Sequence, residues 1–322
     1  MKPLRLIPHK TKFRFVGLRR LFYALSLAAL VASAGLYFVR GLNLGIDFLG
    51  GILIEAQTPG PADLGAMRAV LGGLGLGEVA LQEFGAPDDV LIRVARQPGG
   101  EKQQQIAVAK VKQALAAMGA GDISYRRVES VGPKVSAELV EAGLTAVVAA
   151  VFLMLLYIWF RFEWQFSIGA VVALLHDVGL TMGMFALTQF EFNLASIAAI
   201  LTIVGYSIND TVVVYDRVRE NLRKYKTMPM TELADLSLNE TLSRTTMTSL
   251  TTLLALFALY LFGGEVIAGF VFAMIWGVVV GTYSSIYIAV PLLIEMQPER
   301  RGAGEEKAAE AERGAGKPAP RD

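Results

Sequence analysis

Six apolar stretches, each long enough or nearly long enough to cross a lipid bilayer, limit what this chain can fold into. A bilayer core of about 30 Å needs roughly 18 to 20 apolar residues in a helix. The stretches are approximately 21–39, 139–160, 166–187, 194–215, 248–262 and 266–294. Hydrophobic residues make up 54% of the 322 residues and charged residues only 18%, whereas soluble domains carry about 25% charged residues. The sequence therefore predicts a polytopic α-helical membrane protein with six transmembrane helices.

The positions of basic residues predict the orientation of these helices, because short basic loops stay in the cytoplasm. Residues 1–20 form a basic leader, and a second basic segment separates the fourth and fifth stretches. Its basic residues are Arg217, Arg219, Arg223, Lys224, Lys226 and Arg244. We therefore expect both termini in the cytoplasm. The first helix, 21–40, is too long for a secretory signal and is predicted to be an uncleaved anchor.

Residues 41–133 are predicted to form an extracytoplasmic domain between the first and second helices. Their pattern indicates strands at 46–57, 78–84, 90–95 and 123–131, and helices at 62–74 and 102–118. The order βαββαβ favours a ferredoxin-like α/β sandwich. Residues 134–297 hold the remaining five helices. Residues 298–322, rich in Ala, Gly, Glu, Lys and Arg, are predicted to be a disordered cytoplasmic tail.

Asp210 is a carboxylate inside the fourth apolar stretch. A charge in a membrane costs roughly 2.5 kcal/mol on the lowest scale, so it needs a partner, a proton or a path to water. Helical spacing places Tyr206 on the same face and Asn209 beside it. Arg244, just before the fifth stretch, is long enough to reach inward. A paired Asp210 would stay ionised and an unpaired one would take up a proton; the alternative is a permanent ion pair that only joins two helices.

His176 and Asp177 are adjacent in the middle of the third stretch. A histidine beside a carboxylate suits a proton relay, because its unperturbed pKa of about 6.5 is reachable from both sides. A buried hydrogen-bonded pair that ties neighbouring helices explains the same residues equally well. Both interpretations stay open at this point.

Small residues recur at a spacing of four along the sixth stretch: Gly269, Ala273, Gly277, Gly281 and Ser285. Small side chains allow another helix to approach closely, which is a main source of helix association in lipid. The stripe predicts close helix packing or a subunit contact.

Several classes of chemistry are excluded by what the sequence lacks. It has zero cysteines and two histidines, and it carries no P-loop, H-E-x-x-H or G-x-S-x-G motif. We expect no enzymatic activity, metal or cofactor. The basic segments lie beside membrane helices, so they favour contact with membrane lipid head groups rather than nucleic acid.

Five strings in the right order make the chain similar to the SecF proteins of the SecD/SecF family, a branch of the resistance-nodulation-division superfamily. They are GIDFLGG (45–51), VGPKVSAEL (131–139), LLHDVG (174–179), VGYSINDTVVVYDRVREN (204–221) and SLNETLSRTTMTSLTTLLALFALYLFGG (237–264). The resemblance covers nearly the whole chain except the tail. It implies one half of a resistance-nodulation-division type transporter, in which an extracytoplasmic domain is inserted after the first of six helices.

The family resemblance also implies a function and partners. A SecD-like six-span protein would complete the pair in the inner membrane of a bacterium. The pair would use the proton motive force to help preproteins through the SecYEG channel after SecA-driven insertion. Asp210 falls on the family's proton-linked acid and Arg244 on its basic partner, while Asn209, Asp47, Gly50 and Gly51 lie in family motifs that a turn or packing role also explains. The alternatives are a scaffold without motor activity and a stand-alone proton-coupled exporter.

Overall fold

A computed structural model describes residues 11–118 and 122–296 of the chain. Within them, six helices are long and apolar enough to cross a membrane, as predicted. The long helices are α1 (Arg19–Arg40), α5 (Pro133–Arg161), α6 (Trp164–Thr188), α7 (Leu194–Lys224), α8 (Met230–Phe262) and α9 (Glu265–Ser284). A π-helical turn (Ser285–Ala289) and α10 (Val290–Met296) continue α9. Residues 1–10 of the predicted leader and the whole predicted tail lie outside the described residues.

The membrane helices form an inner group and an outer group. In their most apolar windows, 56% of the residues of α6 and 44% of those of α7 and of the last helix are buried within the chain. The corresponding shares are 6% for α1 and α5 and 11% for α8. The three inner helices therefore form the centre of the membrane part, and α1, α5 and α8 present most of their surface outward.

The α7 and α8 helices extend well beyond the apolar stretches that predicted them. Only residues 225–229 separate them, so most of the predicted basic segment, including Arg217, Arg219 and Arg244, is helical. The apolar side chains of Leu222, Leu233 and Leu238 are buried in one cluster. Burial of an amphipathic face stabilises a helix whose average composition is polar. The predicted loop between the fourth and fifth spans was therefore wrong in extent, and Arg244 lies within α8 rather than ahead of it.

The inserted domain has the predicted ferredoxin-like topology. Its strands are β1 (Gly51–Gln57), β2 (Val79–Phe84), β3 (Ala86–Val94) and β4 (Ser124–Val131), and its helices are α3 (Leu64–Gly72) and α4 (Glu101–Ala117). The strands form one antiparallel sheet in the order β2-β3-β1-β4. One sheet face packs against α3 and α4 around Ile54, Leu71, Ile92, Val111 and Leu115.

The first strand starts later than predicted. Residues 46–49 form a short helix, α2 (Ile46–Leu49), and the strand begins at Gly51. Gly50 has φ 71° and Gly51 φ 128°, which only glycine adopts readily. A Cβ atom on Gly51 would lie 2.6 Å from the carbonyl oxygen of Val94, so β3 also leaves no room for a side chain there. The two glycines turn the chain from α2 into the sheet.

Candidate functional site

Asp210 lies in α7 and is 2% exposed. Its Oδ2 atom is buried and has no hydrogen-bond partner among the described residues. Leaving a buried polar atom unpaired is costly, and the great majority of such atoms are bonded in folded proteins. Asp210 is therefore placed where a proton, a water molecule or a moving cation would satisfy it.

A second buried carboxylate lies on the neighbouring helix. Asp177 is 0% exposed, and its Oδ1 atom is 2.9 Å from Nδ1 of His176. Its Oδ2 atom accepts hydrogen bonds from Ser207 Oγ at 2.5 Å and from Ser284 Oγ at 2.7 Å. Asp177 thus joins α6 to α7 and to the end of α9. Both oxygens of Asp177 are bonded, unlike those of Asp210, whereas the buried Nε2 atom of His176 has no hydrogen-bond partner among the described residues.

A π-helical turn lies opposite the segment of α7 that follows Asp210. Thr211 Oγ1 is 2.8 Å from Ser285 Oγ, and Tyr215 donates a hydrogen bond of 3.0 Å to the carbonyl oxygen of Ala289. A π turn shifts helical register and leaves a carbonyl available to an outside donor. The hydroxyls of Ser207 and Thr211 therefore hold the Asp210 segment against the inner helices from both sides.

Arg244 lies on α8, which packs against α7. Its side chain is exposed, and no ion pair of 4.0 Å or less joins it to Asp210, although the structure describes both residues. Arg244 is nevertheless close enough to act on the charge of Asp210. The two groups therefore lie on neighbouring helices without forming an ion pair.

Two further predicted site residues on α7 point in different directions. Tyr206 is partly buried, and its hydroxyl is a buried atom without a hydrogen-bond partner in the described part of the chain. Asn209 is exposed, as are Gly205 and Thr202 before it. The structure therefore separates Asn209, on the outer surface, from Asp210, in the interior.

The small-residue stripe lies along α9 and faces α7. Ala273 is fully buried, and a Cβ atom on Gly277 would overlap the side chain of Ile203. One on Gly281 would lie 3.0 Å from Cβ of Ser207, whereas one on Gly269 would be 3.8 Å from Phe190. The tightest contact is between Gly277 and the side chain of Ile203, two turns before Asp210. The α7 backbone itself comes close at Gly281, where an added Cβ atom would lie 3.3 Å from the Cα atom of Ser207.

Asp47, in α2, lies at the start of α7. Its Oδ2 atom accepts a hydrogen bond of 2.9 Å from the backbone N–H of Leu194, the first residue of that helix. A carboxylate at a helix N-terminus also interacts favourably with the helix dipole. Asp47 therefore connects the inserted domain to the helix that carries Asp210.

Two hydroxyl residues of this site, Thr211 and Ser284, were missed at the level of sequence, and Ser285 was identified only as a member of the small-residue stripe. Hydroxyls in an apolar helix commonly bond to their own backbone, as Ser285 does to Gly281, so their presence alone does not reveal a cross-helix bond. The only available signal was the position of Ser285, which continues the small-residue stripe. Among residues 11–118 and 122–296, no group of three or more His, Asp and Glu residues is arranged to hold a metal ion.

Comparisons with known proteins agree with this architecture. Residues 110–299 match the family model for protein export membrane protein SecD/SecF, C-terminal, and residues 38–58 match the SecD/SecF GG motif. The chain is 49% identical over 303 residues to protein translocase subunit SecF of Rhodobacter capsulatus, covering 90% of this chain and 91% of that protein. It is 46% identical over 291 residues to protein translocase subunit SecF of Rickettsia rickettsii, covering 90% of this chain and 94% of that protein.

A solved structure extends the comparison to three dimensions. The crystal structure of SecDF, a translocon-associated membrane protein from Thermus thermophilus, matches with a TM-score of 0.80 and 35% sequence identity. The match covers 92% of this chain but only 40% of the SecDF chain. The family models, the relatives and the shared fold all agree: this chain is a multi-pass membrane protein that belongs to the SecD/SecF family of protein export membrane proteins, among its SecF protein translocase subunits.

Proposed function

We propose that this chain is a proton-driven subunit of the bacterial protein export machinery. In this proposal it pairs with a SecD-like six-span protein in the inner membrane, with both termini in the cytoplasm and residues 41–133 outside. The pair uses the proton motive force to help preproteins through SecYEG after SecA has inserted them. Protonation of Asp210 changes the packing of the membrane helices, and this change moves the inserted domain.

The observation that carries the proposal is the unbonded, buried Oδ2 atom of Asp210. An ionised carboxylate in that position lacks compensation, whereas a protonated one is neutral, so the local packing responds to the proton. Asp177 offers a useful contrast, because its Oδ2 atom accepts hydrogen bonds from Ser207 and Ser284. We assign the proton-linked role to Asp210 and a structural role to Asp177.

The position of Arg244 supports a two-state mechanism. In the described arrangement Arg244 and Asp210 do not form an ion pair. A small displacement of α8 toward α7 would bring the guanidinium onto the carboxylate and favour its ionised form. Withdrawal of Arg244 would favour uptake of a proton. Each state of the pair therefore corresponds to a different distance between the two helices.

The exposed polar face of α7 and α8 supports the proposed partner. Thr202, Gly205 and Asn209 are exposed along one face of α7, and Arg244 on α8 is also exposed. A polar side chain that faces hydrocarbon without a partner is costly, and small or polar residues are typical of contacts between membrane helices. The chain also spans only 40% of the SecDF molecule it resembles. Both observations favour a second six-span protein on this face.

Export into membrane vesicles, measured with and without a proton gradient, tests the proposal. Asp210→Asn should leave the complex assembled and remove the stimulation of export by the gradient. Asp216→Asn is the matched control, because Asp216 lies on the same helix but is 44% exposed and paired with Arg161 at 2.7 Å. Full gradient stimulation in Asp210→Asn vesicles would refute the proton-driven role.

Two other outcomes would favour the alternatives. If Asp210 and Arg244 only join two helices, exchanging them in an Asp210→Arg, Arg244→Asp variant should leave export normal, as expected for a scaffold. If the chain is a stand-alone exporter, it should purify from native membranes without any six-span partner.

A further inference from the structure

The inserted domain and α7 are joined by contacts between two short segments, residues 41–47 and residues 189–194, which we call the strap. The backbone N–H of Gly45 donates to the carbonyl oxygen of Phe192 at 2.8 Å, and the N–H of Phe192 donates to that of Asn43 at 2.8 Å. Asn43 Nδ2 donates to the carbonyl oxygen of Gln189 at 2.8 Å. Backbone pairing of this kind, with a bridge between Leu44 and Phe192, fixes register as in a small sheet.

The strap has a charged connection to the sheet. Arg93 in β3 donates to Glu191 Oε2 at 2.7 Å and to Asn43 Oδ1 at 2.8 Å, so one guanidinium contacts both segments. Its pair with Glu191 is only about one-fifth exposed on either side, and a guanidinium fork fixes geometry as well as charge. The sheet is therefore held to the loop before α7 by a side chain from its own interior strand.

Asp47 provides the connection to the helix. It accepts from the first backbone N–H of α7, while Asn193 accepts from Ser196 in the same first turn. Asp47 precedes β1 by only a few residues, and Asp210 is 16 residues beyond Leu194 in one continuous helix. At 1.5 Å per residue, a rigid rod of about 24 Å separates the strap from Asp210. A displacement of α7 at Asp210 reaches Asp47 without crossing any loop.

On the basis of the proposed proton-driven role, we infer that the strap is a rigid coupling and that Asp47 is its positioning residue. The strap stays closed throughout the transport cycle and carries the movement of α7 to the inserted domain. In this arrangement the domain does not swing about the 41–50 segment. The strap itself does not bend and moves together with α7.

A cysteine pair tests rigidity directly, because the chain contains zero cysteines. Leu44 and Phe192 are bridge partners, and neighbouring strands are about 4.8 Å apart, within the range of about 4.4 to 6.8 Å that a disulfide spans. A Leu44→Cys, Phe192→Cys variant should export as well when oxidised as when reduced. The reduced protein is the matched control. Loss of gradient-stimulated export on oxidation would show that the strap must open, and would overturn the inference.

Asp47 variants test whether the coupling is needed. In Asp47→Ala vesicles the stimulation of export by the gradient should fall by about fivefold or more, the usual lower range of coupling between sites. Export driven by SecA without a gradient should persist, and the six-span partner should still co-purify. Asp47→Asn should restore most of the stimulation, because its side-chain oxygen still accepts from Leu194 N–H. Unchanged stimulation in Asp47→Ala would overturn the inference.

Asp210→Asn, measured in the same vesicles, separates the two proposals. If Asp210→Asn abolishes stimulation and Asp47→Ala does not, only the coupling role of the strap fails. If Asp210→Asn retains full stimulation, the proton-driven role itself fails. Should Asp47→Ala not assemble, the disulfide experiment still decides whether the strap is rigid.

Discussion

Ser207 donates a hydrogen bond of 2.5 Å to Asp177 and thereby fixes α7 against α6 one turn before Asp210. Thr211 does the same against the π turn one residue after Asp210. Within the described residues, the side-chain hydrogen bonds between α7 and α8 start from Arg217 and Asn221, toward the C-terminal end of α7. Among the described residues, the α7–α8 contact therefore has no side-chain hydrogen bond within one turn of Asp210.

Loss of the Asp177 bonds should destabilise the membrane part. Ser207→Ala should lower the free energy of unfolding by about 1 to 3 kcal/mol, because the buried carboxylate loses a donor. Asp177→Ala should lower it by at least about 3 kcal/mol, because the buried hydroxyls of Ser207 and Ser284 both lose their acceptor. The readout is the melting temperature in detergent. Ser167→Ala, also on α6, is the control, because its hydroxyl bonds only to its own helix at Glu163. Equal melting temperatures for all these variants would contradict the structural role of Asp177.

Close packing at Gly277 predicts a specific pairwise effect. Gly277→Ala should destabilise the protein by about 1 to 3 kcal/mol, since a Cβ atom there overlaps Ile203. Ile203→Ala should relieve the overlap, so the double variant should lose less than the sum of the single losses. Gly205→Ala is the control, because nothing lies within 4 Å of its Cβ position. Strict additivity of the two changes would argue against direct contact.

The proposed partner face makes a prediction about assembly rather than stability. Gly205→Leu should leave the melting temperature of the isolated chain nearly unchanged, because the position is open. It should nevertheless reduce co-purification of the six-span partner, since a bulky side chain keeps a second helix away. Ala32→Leu, on the exposed surface of α1, is the comparison and should not affect co-purification. Normal partner recovery with Gly205→Leu would place the interface elsewhere.

Gly51, the first residue of β1, should be sensitive to substitution for two separable reasons. Gly51→Ala combines an unfavourable φ of 128° with a Cβ position 2.6 Å from the Val94 carbonyl oxygen. Gly75→Ala has a similar dihedral problem, φ 67°, but open space around it. Gly75→Ala should cost about 1 kcal/mol and Gly51→Ala clearly more, measured as resistance of the inserted domain to proteolysis. Similar resistance in both variants would show that β3 yields at Val94.

Length and periodicity were sufficient to predict the six membrane helices and the βαββαβ order, because both depend on runs of apolar residues. Length and periodicity did not predict how far α7 and α8 continue beyond their apolar stretches. Leu222 and Leu233 are separated by polar residues and a short loop, so their joint burial depends on tertiary packing. For the same reason α2 was hidden, since Ile46 to Phe48 continue the apolar pattern of β1 and only the backbone at Gly50 separates them.

The sequence identifies the two buried carboxylates of the candidate site, but it does not predict which residues they bond to. A carboxylate in an apolar helix identifies Asp210 and Asp177 equally, but their different bonding depends on hydroxyls contributed by other helices. Ser284 carries no distinguishing feature along the chain. The inward direction of Asp210 and the outward direction of Asn209 follow from how α7 is rotated in the bundle, which adjacent positions in a sequence do not specify.

The π turn at Ser285–Ala289 gives the last membrane helix two halves that are out of phase. An extra residue in one turn rotates the side chains after it relative to those before it. The α9 helix packs mainly against α7, and α10 packs against α6 and α8. If the bulge migrates by a turn, the residues it passes swivel while both ends of the helix stay anchored. The helix beside Asp210 thus presents differently oriented faces before and after the π turn.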